Sequence, residues 1–519
     1  SACNSETKLK PFLFAFKPPA HVVWAWKGQY LFLEPDVSID EVNAALLPGS
    51  TIALSVNQGQ PIDELDLLLT NGRLSGDTRA TIAGAYDAIM GYGEEVALQY
   101  AYQLFFMTPE YQISNVPNGF QPSLPQQSRE LQTDAELKPP KTIVYLQLQG
   151  GADSFNMLVP HSECGGGDLY AEYSAIRSDI AIPKDSLHMI KVPAGSQPCN
   201  KFGMHPSLKF LSTLYDDQDL LWVANTGSMV EPLDRKEMKS KMTPNNNFAH
   251  NIMTLWAEKV HTNNNRALGV LGRIADVLKG RFKAQGFSIR NTSPIQENNP
   301  AKSNLPDFIE SNSITTLRRT TFFDDGMETA IHNLTEPCSS VYCDLWSSAL
   351  RKGITRTEQL KTVVDANPLQ APGQYFSTVE HGFDAHFDNE EQLALPLANV
   401  DSSLESFVAE MKAQGKWNEV VVVIGSEFGR ALESNGLEGC DHGWGGNYMV
   451  LGGAVKGGQI LGSYLDNLDP ETNPLIMRAG RVIPTTPWEA VWNGIAEWFG
   501  VPGDKLDEVL PLRGNFPGR

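Results

Sequence analysis

The stretch VVVVIGSEFGRALESNGLEGCDHGWGGNYMVLGG, residues 420–453, narrows the choice of fold more than any other part of this 519-residue chain. Val420 to Ile424 is apolar at every position, with no alternation. A strand of that kind needs cover on both faces, which is the habit of a sheet held between layers of helices. Gly425 ends the run. Glu427, Arg430, Asp441 and His442 follow among glycines, and a second apolar run, Tyr448 to Leu451, closes the stretch. Charged groups just beyond a buried strand stand where open α/β sheets bind ligands. Two acids, a base and a His gathered there point to a polar pocket suited to a metal.

Other segments supply the remaining layers. TIVYLQLQGG, from Thr142, reads as a strand that carries Asp153, Ser154 and Asn156 to its C-terminal end. Helices are expected at 206–215, at 248–259 with His250 and Asn251 at its start, at 260–279, at 403–415 and at 487–500, and a further strand at 219–224. This alternation predicts an α/β fold, doubly wound around a mostly parallel sheet. Residues 1–120 read as a separate small, mainly helical domain, with strands near 12–16 and 21–32 and helices at 65–69, 78–90 and 94–107. Residues 121–141, QPSLPQQSRELQTDAELKPPK, form a Pro/Gln-rich linker. The main domain spans 142–519, interrupted by an Asn/Ser/Thr/Pro-rich excursion at 284–325.

Composition limits the partners. A formal charge of −20 and a pI near 5.0 argue against nucleic acid or an anionic membrane surface. No apolar stretch is long enough to span a bilayer. No signal peptide is present, and residue 1 is Ser, so the chain reads as a processed product. Cys338 with Cys343, and Cys164 with Cys199, lie in loops where each pair could close a disulfide. An even cysteine count in loops fits an oxidising compartment, with reduced thiols the open alternative. Asn291 and Asn333 head glycosylation sequons that matter in a secreted glycoprotein.

Four segments carry candidate ligands: Asp153 with Ser154 and Asn156; His250-Asn251; HGFDAHFD with His381, Asp384, His386 and Asp388; and the opening stretch with Glu427, Arg430, Asp441 and His442. Oxygen and imidazole donors from separate strand ends suit one or two divalent ions, Zn²⁺, Mg²⁺, Mn²⁺ or Ca²⁺. Such ions orient a phosphate or sulfate ester and stabilise its leaving oxygen, with Arg430 as a bidentate anion clamp. Plainer roles stand beside these. Asp153 could cap a helix, His250 could be a satisfied buried His, Glu427–Arg430 a structural ion pair and Asp441–His442 a loop hydrogen-bond pair. The density of HGFDAHFD favours metal binding there.

Taken together, VYLQLQGGADSFNMLVP, MHPSLKFLSTLYDDQDLLWVANTGS, FAHNIMTLW, GFDAHFDN, the 420–453 stretch and TTPWEAVWNGIAEWFGV resemble, in order, a secreted family. It is domain of unknown function 1501, a relative of the alkaline phosphatase and sulfatase superfamily. Residues 62–112 resemble more weakly the C-terminal end of domain of unknown function 1800. The first resemblance implies an alkaline phosphatase-like sheet with a two-metal site. Asp153 would bind one ion, Asp384 and His386 the other, and Glu427 and His442 would complete the set. It also implies a nucleophile at the helix start FAHN, where relatives commonly read FSHN. This chain has Ala249 there, leaving Ser154, Thr226 or Ser228 as substitutes. No Cys-x-Pro-x-Arg stretch exists for a formylglycine-type sulfatase.

The expectation is therefore a secreted or extracytoplasmic, metal-dependent hydrolase of phosphate or sulfate esters, sulfated or phosphorylated glycans included. Its metal ligands would be Asp153, Asp384, His386, Glu427, Asp441 and His442, and its catalytic residues His250, Arg430 and Ser154. The alternative is a non-catalytic, self-associating surface-layer or filament protein that keeps the fold as scaffold; Ala249 fits it.

Overall fold

The structure, a computed structural model, describes residues 61–70, 72–112, 141–279 and 379–518, with short pieces at 11–12, 21–25, 29–33, 286–289, 293–299 and 307–309 and single positions 330, 333, 334, 347 and 351. The linker 121–140, the candidate pair Cys338 and Cys343, and the sequon residue Asn291 lie outside the described residues. The chain forms two compact units, Ser1–Arg129 with Ile314–Ala366, and Glu130–Ser313 with Asn367–Arg519.

The first unit contains an antiparallel sheet, β1 (Pro11–Phe12), β2 (His21–Ala25) and β3 (Gln29–Leu33). Its helices are α1 (Pro61–Thr70), α2 (Gly76–Ile89) and α3 (Glu94–Phe106). Ile82, Ala97, Ala101, Leu104 and Phe105 recur at helical spacing and are almost fully buried. Ala330 and Leu334, which the sequence reading gave to the main domain, join this helical core.

The second unit is built on a seven-stranded sheet. β11 (Val379–His381), β4 (Thr142–Gln149), β12 (Val420–Gly425), β15 (Gly446–Leu451), β8 (Leu220–Gly227) and β16 (Ile460–Gly462) lie side by side in that order, and β17 (Thr486–Pro487) also pairs β8. Alternate residues point to opposite layers, as a strand period of two requires. Val420, Val422 and Ile424 face one core with α4 (Leu169–Arg177), α5 (Lys209–Asp216) and α8 (Asn389–Ala413). Val421 and Val423 face another with α6 (His250–Lys259), α7 (Val270–Leu278) and α9 (Trp488–Phe499). The unbroken apolar run is thus explained by burial on both sides.

One strand of the sheet is reversed. β4 is parallel to β11 and β12, and β16 and β17 are parallel to β8, but β15 runs antiparallel to both β12 and β8. The sheet is therefore mixed, with most of its pairings parallel. A parallel neighbour needs a long crossover, whereas β12 and β15 are joined by a short hairpin, β13 (Arg430–Ser434) with β14 (Cys440–His442). Helix α8 is also longer than its sequence signal. It starts at Asn389, and Pro396 inside it hid the N-terminal half by removing one backbone donor. A second sheet, absent from the sequence reading, pairs β5 (Leu158–Cys164), β7 (Cys199–Met204) and β6 (His188–Lys191), and β9 (Phe287–Ile289) and β10 (Asp307–Ile309) form a short parallel pair. Cys164 and Cys199 sit opposite each other in β5 and β7 and form a disulfide.

Candidate functional site

Glu427 follows β12 and Gly150 follows β4, so the two parallel strands deliver both to the same edge of the sheet. There the Gly150 N–H donates to Glu427 Oε1 over 2.9 Å. Gly150 has φ 126°, and a Cβ at this position would come within 2.4 Å of the Asp384 backbone nitrogen. A bare backbone here lets the 382–388 loop settle against the strand end. The hairpin β13–β14 closes on the same loop. A Cβ on Gly439 would meet the His386 carbonyl at 2.2 Å, and Asn435 Nδ2 donates to that carbonyl over 2.8 Å. The Phe248–Ala249 turn brings His250 to the cluster as the first residue of α6. Phe248 is held at φ 72°, and Ala249 caps the helix without a side-chain hydrogen bond.

Three imidazoles and a carboxylate converge. His250 Nε2 lies 3.1 Å from His442 Nε2 and 3.5 Å from Asp384 Oδ2, and His442 Nε2 lies 3.3 Å from Asp384 Oδ1. His386 Nε2 adjoins them, 2.9 Å from His442 Nε2 and 3.2 Å from Asp384 Oδ1. The far ring nitrogens settle the tautomers. His250 Nδ1 is 2.8 Å from the Glu427 carboxylate, and His442 Nδ1 is 2.7 Å from the Phe248 carbonyl. Both partners accept only, so each Nδ1 carries a proton, and a neutral ring turns its Nε2 lone pair into the cluster. Two lone pairs 3.1 Å apart repel unless a proton or a metal ion lies between them. Ligands held tetrahedrally at about 2.0–2.1 Å from one ion stand roughly 3.3–3.4 Å from each other. The His250, Asp384 and His442 donors come near that spacing, His250 facing Oδ2 and His442 facing Oδ1 of Asp384, with His386 Nε2 beside them, and an imidazole whose other nitrogen donates to a carboxylate or carbonyl is the usual metal-ligand arrangement.

The neighbours shift the two imidazoles in opposite directions. The hydrogen bond to Glu427 raises His250 above its ordinary pKa against the effect of burial, which favours its cationic form until a metal displaces the Nε2 proton. Burial, together with the charges of Arg430 and His250, lowers His442, favouring its neutral form. Burial alone would raise Glu427 and Asp384. The hydrogen bonds from His250 and the Gly150 N–H hold Glu427 down, and Arg430 holds Asp384 down. Three carboxylates, Asp384, Glu427 and Asp441, outnumber two guanidiniums, Arg430 and Arg481, around the imidazoles.

Not every predicted site residue arrives here. Asp153 is fully buried away from the imidazoles; it pairs with Arg177 and accepts from Asn389 Nδ2 over 2.9 Å. It holds α4 and α8 against the strand end instead of adding a ligand. Ser154 is also fully buried, its Oγ accepting the Asn447 N–H over 2.8 Å, so it offers no exposed nucleophile. Thr226 is buried, with its hydroxyl turned to the Val223 carbonyl. Arg430 is not free to clamp an anion. Its Nε donates to the Gly151 carbonyl over 2.8 Å, Nη1 to Cys440 over 2.7 Å and Nη2 to Gly150 over 2.6 Å, and Nη2 also pairs with Asp384. Arg430 therefore fixes the Asp384 carboxylate in place. Glu427 orients His250 from behind and does not reach the shared centre. Asp441 stands at the rim, 3.6 Å from His386 Nδ1. The His381 side chain lies outside the described residues. Phe428 packs its ring 4.8 Å from His442 and 4.9 Å from His250.

Residues 351–472 match the family model described as "Protein of unknown function (DUF1501)". The match supports the DUF1501 resemblance over a span that includes Asp384, His386, Glu427, Arg430, Asp441 and His442 and leaves out His250. No curated protein matches the chain.

Sequence reasoning missed Arg481. Its Nε donates to the His442 carbonyl over 2.8 Å, and its guanidinium lies 5.0 Å from the Phe248 ring centroid. Nothing in the local GRVIP sequence marks it. Its place depends on the Ile476–Val482 bridge that folds this loop back on the site.

Proposed function

We propose that this chain is an extracytoplasmic, alkaline phosphatase/sulfatase-like hydrolase of phosphate or sulfate esters that depends on a divalent metal. The convergence of His250, His442 and Asp384, with both Nδ1 protons fixed outward, carries the reading. Two imidazoles and a carboxylate as donors favour Zn²⁺ among the candidate ions. When bound, the ion would supply Lewis-acid polarisation of an ester oxygen and lower the pKa of a water. The protein's own part is orientation. Glu427 and the Phe248 carbonyl hold the two imidazoles, Arg430 holds Asp384, and His386 with Asp441 borders the open side. Ala249 at the helix start and the burial of Ser154 and Thr226 favour direct attack by water over a covalent enzyme intermediate. The Cys164–Cys199 disulfide supports an oxidising location, and among the described residues no helix is long and apolar enough to cross a membrane. The weaker likeness of residues 62–112 to domain of unknown function 1800 belongs to this proposal too.

Ala249 and the burial of Ser154 and Thr226 are also what a non-catalytic surface-layer scaffold would show. One experiment separates the two: metal analysis of the purified protein followed by a screen of phosphate and sulfate esters. The expected result is close to one metal per chain, lost in Asp384→Ala together with ester hydrolysis. Full metal content and activity in Asp384→Ala would refute the site, and bound metal without turnover of any ester would favour the scaffold.

A further inference from the structure

Arg430 spends its donors on backbone carbonyls and on Asp384, so the positive charge that meets a substrate must come from elsewhere. Arg481 is a partly exposed cation tied to the cluster through the His442 carbonyl. Its side chain is 29% exposed, against 0% for Arg430. Only its Nε is engaged, on the His442 carbonyl; among the described residues Nη1 and Nη2 make no hydrogen bond. The side chain is nevertheless held firmly. It lies over the Phe248 ring, a contact that favours a guanidinium. The turn behind it has Ala479 at φ 63° and Gly480 at φ 68°, and a Cβ on Gly480 would strike the Glu433 backbone nitrogen at 2.6 Å. The Arg481 backbone is thus pressed against β13. Asp441 Oδ2 is 4.0 Å from Nη2, but both side chains are substantially exposed, and a pair at that distance in water contributes little. It leaves the four Nη protons free for a stronger acceptor.

We propose that Arg481 is the residue that binds the anionic oxygens of the substrate, a phosphate or sulfate ester seated against His250, Asp384 and His442. This rests on the metal-dependent hydrolase reading. A planar fork with two free amino groups suits bidentate recognition of two oxyanion oxygens, which a lysine cannot reproduce. Arg481 therefore sets the preference of the site for charged esters over neutral ones. The competing role is structural, in which Arg481 does no more than brace His442 through its carbonyl.

The test is calorimetric titration of inorganic phosphate, and of sulfate, into the purified full chain, with metal content measured on the same samples. Arg481→Met keeps an apolar stem over Phe248 and removes the charge; Arg481→Lys keeps the charge without the fork. The expected result is at least tenfold weaker anion binding in Arg481→Met, a smaller loss in Arg481→Lys, and unchanged metal content in both. Anion affinity in Arg481→Met within twofold of the parent overturns the proposal. So does a parallel loss of metal, which would make Arg481 a positioning residue for His442. A parent protein that binds no metal refutes the underlying reading instead, and that is known before any variant is made.

Discussion

Replacing Glu427 with Gln isolates the electrostatic contribution to the cluster, because the change is close to isosteric. Glu427 Oε1 accepts both the Gly150 N–H and the His250 Nδ1–H, and a glutamine oxygen placed there accepts the same two bonds. Ser426 Oγ, 3.1 Å from Oε2, can accept from the new amide. The geometry is retained while one buried negative charge is removed. His250 then keeps its tautomer but becomes a poorer donor to a cation. Loss of such a supporting carboxylate typically weakens metal binding about 10- to 100-fold, roughly 1.4–2.7 kcal/mol. Competitive titration of Zn²⁺ against a chelating dye at pH 7.5 would read this directly, with circular dichroism confirming an unchanged fold. Affinity within twofold of the parent in a folded Glu427→Gln protein would refute the view that Glu427 tunes a metal ligand.

Two further outcomes follow from groups away from the cluster. Asp153→Asn leaves the fully buried Arg177 without its anion, and urea denaturation should show a loss of roughly 3–5 kcal/mol with metal content unchanged; a fall in metal content at retained stability would return Asp153 to the ligand set. Burial pushes Glu489 from 4.5 up to about 7. The unfolded chain then releases its proton first, so this group's contribution is complete below about pH 4.5 and is lost as pH rises through about 7, by at most about 1.4 kcal/mol per pH unit. Glu489→Gln should therefore gain stability relative to the parent at pH 8 and not at pH 4.5, and an equal difference at both would contradict the shift.

Much of the framework was legible in one dimension because it depends on local pattern. The run Val420–Ile424 demanded two apolar layers, and the alternation of its valines between the layers of α8 and α9 is the direct consequence. The end of α9 at Gly500, with φ 118°, followed from glycine chemistry alone. The antiparallel course of β15 was not legible, since an apolar run reads the same in either direction. The β5–β7–β6 sheet was missed because its strands alternate weakly and are broken by Gly/Ser/Pro-rich loops.

The sequence by itself determined the inventory of the site: the DAH of the 382–388 loop, the His beginning α6 and the Asp-His pair in the hairpin's second strand, together with the missing hydroxyl at Ala249. Only the tertiary structure decided the roles. Asp153 and Asp384 are both acids following strands, yet one is sealed against Arg177 and the other is half exposed beside three imidazoles. Arg430 and Arg481 are both cations near His442, yet one is consumed by backbone carbonyls and the other keeps its Nη groups free. Residue type fixes which bonds a side chain can make. Burial and the neighbours brought in from distant segments fix which of them are already made, and that remainder is what is left for a metal or an anion.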